Sequence, residues 1–217
     1  GVPLIAWVLG TVFFAGFINA FNMADGANGL VPGIATACFI LFSLEYGRPA
    51  DDVFMFACII FLIFNVISGW FFLGDMGSYG LGSIIAGFGL YAVSTGTFSA
   101  SFMAAMLAYP CLDFIVSIGR RLLKGRSPFA PDNDHLHNRI HSRLRLKVRS
   151  RVLANSLTGL SISFFTSGLV LIAYIDGWLP ATSNDWVFVF FAQCLAYGIV
   201  FSLAGRGRRH SQYSDPV

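Results

Sequence analysis

The sequence predicts an all-α fold, a polytopic integral membrane helix bundle with about seven spans. Three observations predict it. Of 217 residues, 56% are hydrophobic and only 12% charged, a balance suited to lipid rather than to a soluble core. The mean hydropathy is +0.70. Glycine occurs 23 times, and small residues let helices approach closely where lipid supplies no hydrophobic drive for association. Membrane lipids are expected partners and nucleic acid is not.

Apolar runs place the spans at about 2–18, 29–45, 53–72, 80–95, 98–117, 152–175 and 186–204. Residues 1–204 then form one transmembrane domain and 205–217 a short basic tail. Several runs fall short of the roughly 20 residues of a full crossing. The Gly-rich stretch from Gly80 to Leu112 is the hardest to divide. Cys38, Cys58, Cys111 and Cys194 sit inside apolar runs without CxxC spacing, as small buried hydrophobes rather than a disulfide framework.

With Gly1 outside, 13 of the 14 Lys and Arg residues fall on inner segments, ten in the loop 118–151 and three in the tail, leaving Arg48 outside. The positive-inside rule then orients the bundle. The chain opens on Gly1 without an initiating Met, as the later part of a longer protein would.

Polar residues collect on the inner side in three clusters. The first, Asn19-Ala-Phe-Asn22-Met-Ala-Asp25-Gly-Ala-Asn28-Gly-Leu30, sets amides, a carboxylate and glycines between two apolar runs. A carboxylate at a membrane boundary beside Gly-rich backbone can hold a hard cation or a phosphate-bearing ligand; an ordinary polar turn is the plainer reading. The second, Phe71-Phe72-Leu73-Gly74-Asp75-Met76-Gly77-Ser78, offers Asp75 to a metal. Its plainer reading is a helix-ending turn with Gly77 left-handed. The third is the loop from Gly119 to His141, which holds Asp132, Asp134, His135, His137 and Arg139. Its imidazoles and cations suit a diphosphate better than zinc, for which no partner appears at a recognisable spacing.

Leu136, Ile140, Leu144, Val148 and Val152 recur four apart, which predicts a helix running into the next span. The Lys and Arg beside that stripe meet anionic headgroups and enforce topology. Asp113, near the inner end of a span, needs a partner, and Arg120 or Arg121 is the nearest. Asn65 and Ser68 read as hydrogen-bond glue between helices.

Taken together, Asn19-x-x-Asn22-x-x-Asp25-Gly-x-x-Gly-Leu, Phe72-Leu-Gly-Asp75-x-Gly-Ser78, Pro110-x-x-Asp113 and Ser127-Pro-Phe-x-Pro-Asp132-x-x-His135-Leu-His137 resemble the polyprenyl-phosphate N-acetylhexosamine-1-phosphate transferases. These are the WecA-like enzymes of glycosyltransferase family 4, related to MraY. The resemblance implies attack of a polyprenyl (undecaprenyl) phosphate on a UDP-N-acetylhexosamine, UDP-GlcNAc or a relative, with release of UMP. It also implies Mg2+ or Mn2+, a bacterial inner membrane, cytoplasmic active-site loops and a product that starts a cell-surface glycan such as O-antigen. By the resemblance Asp75 holds the metal, and Asn22 and Asp25 line the catalytic centre with it. Asn28 and Phe72 then belong to the uridine side and His135 and His137 to the diphosphate or sugar, with Asn19, Arg139 and His141 also among the expected substrate-binding residues. A homodimer is one oligomeric state compatible with it.

Three departures stand out. Asn28 occupies a position where the family usually has Asp, and Asn138 one where His is common. No acidic pair precedes Asn19, although the family carries one in an earlier cytoplasmic loop; Asp51-Asp52 falls on the outer side. The rival expectation is a catalytically silent membrane protein that retains nucleotide-sugar or lipid-phosphate binding.

Overall fold

A computed structural model describes residues 4–128, 130 and 132–205. Phe129 and Pro131 of the fourth motif, and Arg206, Arg208 and Arg209 of the expected basic tail, lie outside the described residues. The described chain is helical, in the order α1 (Leu4–Ala24), α2 (Leu30–Tyr46), α3 (Pro49–Ser68), α4 (Gly74–Ser94), α5 (Ala100–Met106), α6 (Ala108–Leu123), α7 (Leu136–Leu144), α8 (Arg151–Ser163), a π turn (Phe164–Gly168), α9 (Leu169–Ile175) and α10 (Trp186–Ala204). No strand occurs among the described residues. The protein is an all-α polytopic membrane bundle.

Four helical spans are long and apolar enough to cross a bilayer: α3, α4, the run α8–π–α9, and α10. The pair α5–α6 makes a fifth if taken as one broken span, bent by 79°. Seven spans are expected from the sequence; among the described residues four, or five with the bent pair, are long and apolar enough to cross, and the apolar stretch Gly10–Ala24 of α1 and the 17-residue α2 are shorter. Helix α2 can be short because neighbours surround it. Leu30, Ile34, Phe39, Leu41 and Phe42 are all fully buried, as befits a helix that is apolar on every side. Its Phe39 stacks on Phe54 at 5.1 Å, and Phe98 and Trp186 meet Phe102 edge to face at 5.1 and 4.9 Å. The outward faces of α1, α3 and α10 present Trp7, Phe56, Ile60, Ile67, Phe188, Phe191 and Leu195, the band a lipid solvent tolerates and water does not.

Local chemistry sets the helix ends. Pro49 opens α3 with Asp51 and Asp52 in its first turn, where a missing N–H costs nothing and negative charge meets the positive end of the helix dipole. Gly69 closes it in the left-handed region. Asp75 lies in the first turn of α4, after Gly74 at φ 60°. The turn around Asp75 therefore begins a helix, and its left-handed residue is Gly74 rather than Gly77.

Two sequence expectations are revised. The stripe from Leu136 to Val152 does not continue into the next span: α7 ends at Leu144, and Ser150 caps a new helix by accepting from Leu153 N at 3.2 Å. Between them the Arg145 guanidinium donates to the Val148 and Arg149 carbonyls at 2.8 and 2.5 Å, so the chain turns rather than running on. The span at 98–117 is broken at Leu107. Pro110 has no N–H to offer the Met106 carbonyl four residues earlier, and the Ser167 hydroxyl, from the π turn, donates to that oxygen instead at 2.7 Å.

The two ends of the bundle differ in character. At one, Arg48 grips the fully buried Asp51, Ser43 donates to Asp52, and Tyr174 donates to Glu45. At the other gather the segments 25–29, 69–74, the loop 124–135 and α7, where Asn22, Asp75, Gly29, Asn65, Asn28 and Ser156 interact. Asp51 and Asp52 are thus remote from Asp25 and Asp75. The bend at Leu107 yields a test. Ser167→Ala should lower stability by about 1–2 kcal/mol, because it strands a buried carbonyl. The loss should shrink in a Pro110→Ala background, where an N–H becomes available; equal losses in both backgrounds, measured by unfolding in detergent, would count against this account of the break.

Candidate functional site

At the polar end the first two clusters meet. Asn22, in the last turns of α1, directs its amide N–H to Asp75 Oδ1 at 3.1 Å and to Ser78 Oγ at 2.8 Å. The Ser78 hydroxyl donates onward to the Gly74 carbonyl at 2.9 Å. Asp25 lies three residues beyond Asn22, half-buried in the turn. Burial pushes its carboxyl up to about 6, and the negative charge of Asp75 adds to the shift. A carboxyl whose ionisation is opposed by burial and by a neighbouring negative charge marks a place where a cation is favoured.

Asp75 is exposed and uses one oxygen on Asn22. No group of three or more His, Cys, Asp or Glu able to hold a metal gathers among the described residues. A carboxylate pair of this kind could hold a hard cation only with water or the oxygens of a ligand completing its shell. It does not suit a closed protein cage.

The turn that carries Asp25 is held from below. Gly29 has φ 80°, and its N–H donates to Asn65 Oδ1 at 2.6 Å. Asn28 is buried and reaches Ser156 Oγ at 3.4 Å, while that hydroxyl donates to the Val66 carbonyl at 2.8 Å. A side chain on Gly159 of α8 would overlap the Asn28 carbonyl oxygen; only a bare backbone lets α8 lie against the turn. Asn28 therefore faces α8, whereas Phe72 is open, 69% exposed. Asn19 is exposed, its amide donating to the Ala15 carbonyl at 2.8 Å.

The third cluster packs against the same turn through His137. A Cβ on Gly26 would strike the His137 ring, and Tyr109 hydrogen-bonds its Nδ1 at 3.0 Å. A neutral ring that accepts from Tyr109 carries its proton on Nε2, facing the turn. Burial pushes His137 down to about 4.

His135 stacks on it with centroids 5.4 Å apart and planes at 5°, yet has the opposite tendency. Burial opposes its charge, but the Asp113 carboxylate outweighs burial and raises its pKa. Both of its nitrogens are engaged, Nδ1 with Asp113 at 2.6 Å and Nε2 with the Asp132 carbonyl at 2.9 Å. Asp113 also accepts from Leu136 N at 3.0 Å and from the Tyr197 hydroxyl at 2.8 Å. The partner of Asp113 is thus His135, not Arg120 or Arg121.

Arg120 pairs with Asp132, whose carboxyl is held down to about 2 by that guanidinium despite some burial. Arg139 forks onto Asp134 at 2.7 and 2.9 Å, donates to the Phe201 carbonyl at 2.9 Å and lies 3.5 Å above the Phe201 ring. In this arrangement His135 and Arg139 fasten the loop to α6 and α10, and His137 is the imidazole of this cluster that faces the Asp25 turn. His141 stands one helical turn past His137, and Asn138 donates to the Asn133 carbonyl. Sequence reasoning did not find Ser156, Gly159, Tyr109 or Tyr197, whose roles appear only when separate helices meet.

Two outcomes follow. Gly159→Val should displace the Asn28 carbonyl and lower stability by about 1–3 kcal/mol through overpacking; a variant that melts like the parent would remove α8 from the site. The neutral His137 contributes stability that is complete above its unfolded value near 6.5 and is lost as pH falls toward 4. His135, raised, does the reverse: its contribution is complete below about 6.5 and is lost as pH rises through its folded value. Unfolding of His137→Gln should therefore be less sensitive than the parent between about pH 6.5 and pH 4, and an unchanged acid slope would refute the assignment.

Residues 2–93 match the model of glycosyl transferase family 4. An undecaprenyl-phosphate alpha-N-acetylglucosaminyl 1-phosphate transferase of Thermotoga maritima is 32% identical over 129 residues, which cover 58% of this chain and 40% of that protein. The protein of the same name from Escherichia coli K12 is 32% identical over 136 residues, covering 57% and 37%. From Bacillus subtilis, a protein named as a probable undecaprenyl-phosphate N-acetylglucosaminyl 1-phosphate transferase is 31% identical over 177 residues, covering 77% and 48%. The chain thus spans less than half the length of these curated relatives. No solved structure matches it. The segment that carries Asn19, Asn22, Asp25, Asn28, Phe72 and Asp75 is thus the part of the chain that is similar to glycosyl transferase family 4.

Proposed function

We propose that the complete protein transfers a sugar 1-phosphate from a UDP-N-acetylhexosamine to polyprenyl phosphate on the cytoplasmic face of a bacterial inner membrane. The observation that carries this reading is the meeting of Asn22, Asp25 and Asp75 at the bundle end where the Lys and Arg residues collect. A water-soluble sugar nucleotide and a lipid phosphate can meet only at such a boundary. The names of the relatives supply the lipid and the sugar phosphate; the UDP carrier follows from the family resemblance.

In the reaction an oxygen of the lipid phosphate bonds to the phosphorus that bears the sugar. The bond from that phosphorus to the bridging oxygen breaks, and UMP leaves with the electron pair. The lipid phosphate is largely ionised at neutral pH, since such a second pKa lies near 6, so positioning and charge neutralisation dominate over general base catalysis. Asp75 and Asp25 are the groups that would hold Mg2+ or Mn2+, and the ion would supply neutralisation of the diphosphate. Asn22 orients Asp75 through its amide, and the Asp25 turn presents its carboxylate beside it. His137, with its Nε2 proton facing that turn, can donate to a phosphate or sugar oxygen that enters there. The Arg and Lys residues around the loop 118–151 draw anionic substrates to this face.

Membranes that contain the complete protein should release UMP from a UDP-N-acetylhexosamine only when polyprenyl phosphate and a divalent cation are both present. Asp75→Asn should cut that release by about a hundredfold or more while the protein still folds. Undiminished turnover in a folded Asp75→Asn variant would overturn the metal assignment. Retained binding of UDP-sugar by the parent without any transfer would favour the silent binding protein.

A further inference from the structure

The turn that carries Asp25 precedes α2, and the turn that leads to Asp75 follows α3. The first, residues 25–29, is glycine, alanine or asparagine at four of its five positions, Gly26, Ala27, Asn28 and Gly29; the second, residues 69–73, follows the end of α3 without regular structure. A single side chain bridges them. Asn65 is 4% exposed, accepts from the Gly29 N–H at 2.6 Å and donates to the Phe71 carbonyl at 2.6 Å. Its own backbone carbonyl accepts from Gly69 N at 3.1 Å and so ends α3. On the far side of the same two turns Asn22 joins α1 to Asp75.

We propose that Asn65 is a positioning residue that locks the Asp25 turn and the Asp75 turn to one another. Its amide thereby sets how the two carboxylates are presented to a shared divalent cation. The inference rests on the reading of Asp25 and Asp75 as a cation site and assigns the group that builds that site.

A primary amide meets both demands with separate atoms. The buried Gly29 N–H requires an acceptor, and the part-buried Phe71 C=O takes a donor. Asp at this position keeps the acceptor, loses the donor and sets a charge against the Phe71 carbonyl. Leu has neither group. Gln has both but is one methylene longer, so it can bridge the turns only if they move apart. Ser156 supports the same assembly from α8, since its hydroxyl ties Val66, next to Asn65, to the Asn28 side of the first turn. Asn65 touches no reacting atom in this arrangement and acts through the two turns.

The test uses the complete protein in lipid nanodiscs, with Asn65→Asp, Asn65→Leu and Asn65→Gln compared with the parent. Hydrogen–deuterium exchange, read without any metal or substrate, should rise in both segments 24–30 and 69–75 of Asn65→Asp and Asn65→Leu. Exchange in 79–93 of α4 should stay as in the parent. Mn2+ binding, read by electron paramagnetic resonance, should weaken by about tenfold or more in the same variants, and Asn65→Gln should recover part of that loss. Faster exchange in only one of the two segments, or parent-like exchange in both, would overturn the bridge. Faster exchange in both with Mn2+ affinity unchanged would overturn its role in presenting the carboxylates. If Asn65→Leu fails to fold, Asn65→Asp, which keeps the Gly29 bond, carries the same comparisons. A parent protein that binds no Mn2+ would refute the cation site itself, whereas the exchange result would still judge the bridge.

Discussion

A helix that stops inside an apolar bundle leaves N–H and C=O groups that neither lipid nor a neighbouring turn can satisfy, and each must find a protein partner. Much of this structure is an answer to that demand. Gly29 N–H goes to Asn65, the Phe71 carbonyl takes the other half of the same amide, and the Met106 carbonyl freed by Pro110 takes the Ser167 hydroxyl. In each case a side chain from one helix closes the backbone of another. The loops at the polar end are consequently parts of the bundle rather than ornaments on it.

The same scarcity of water separates two kinds of carboxylate. Asp113 is buried and saturated, with an imidazole, a backbone N–H and a phenol hydroxyl around it. It binds α6 to the loop and to α10, and removing it would take away the carboxylate that favours the charged form of His135. Asp25 and Asp75 are differently placed. Asp75 takes one bond from the Asn22 amide, Asp25 lies within the field of Asp75, and both keep oxygen atoms free of protein donors in the hydrogen bonds described. The fold thus saturates one carboxylate and leaves two neighbouring ones open.

The histidine pair shows a similar division. Two rings stacked within one short segment are pushed in opposite directions, His135 up because Asp113 lies against it and His137 down because it is enclosed with Tyr109 beneath the Asp25 turn. The loop that holds them is pinned by Arg120 on Asp132 and by Arg139 on Asp134 and Phe201. Those cations serve the fold directly. Lys124, Arg126, Lys147, Arg149 and Arg151 stay exposed and shape the field that an anion or lipid headgroup meets at that end.

Composition and charge were enough to read the helical class, the apolar runs and the gathering of Asn22, Asp25, Asp75 and the His-rich loop at one end. Burial in lipid requires long apolar runs, and translocation sorts Lys and Arg by side, so both leave marks along the chain itself. What the chain could not display was pairing across distance. Asp113 has Arg120 and Arg121 as near neighbours in sequence but meets His135, because α6 turns those guanidiniums toward the loop while the carboxylate faces α7 and α10. Asn65, an unremarkable polar residue in an apolar span, becomes the link between two turns, and Gly159 becomes the seat of Asn28. Periodicity reports which face of a helix is apolar, but which backbone group stands opposite a given side chain depends on how the helices are packed, and that was decided by tertiary structure alone.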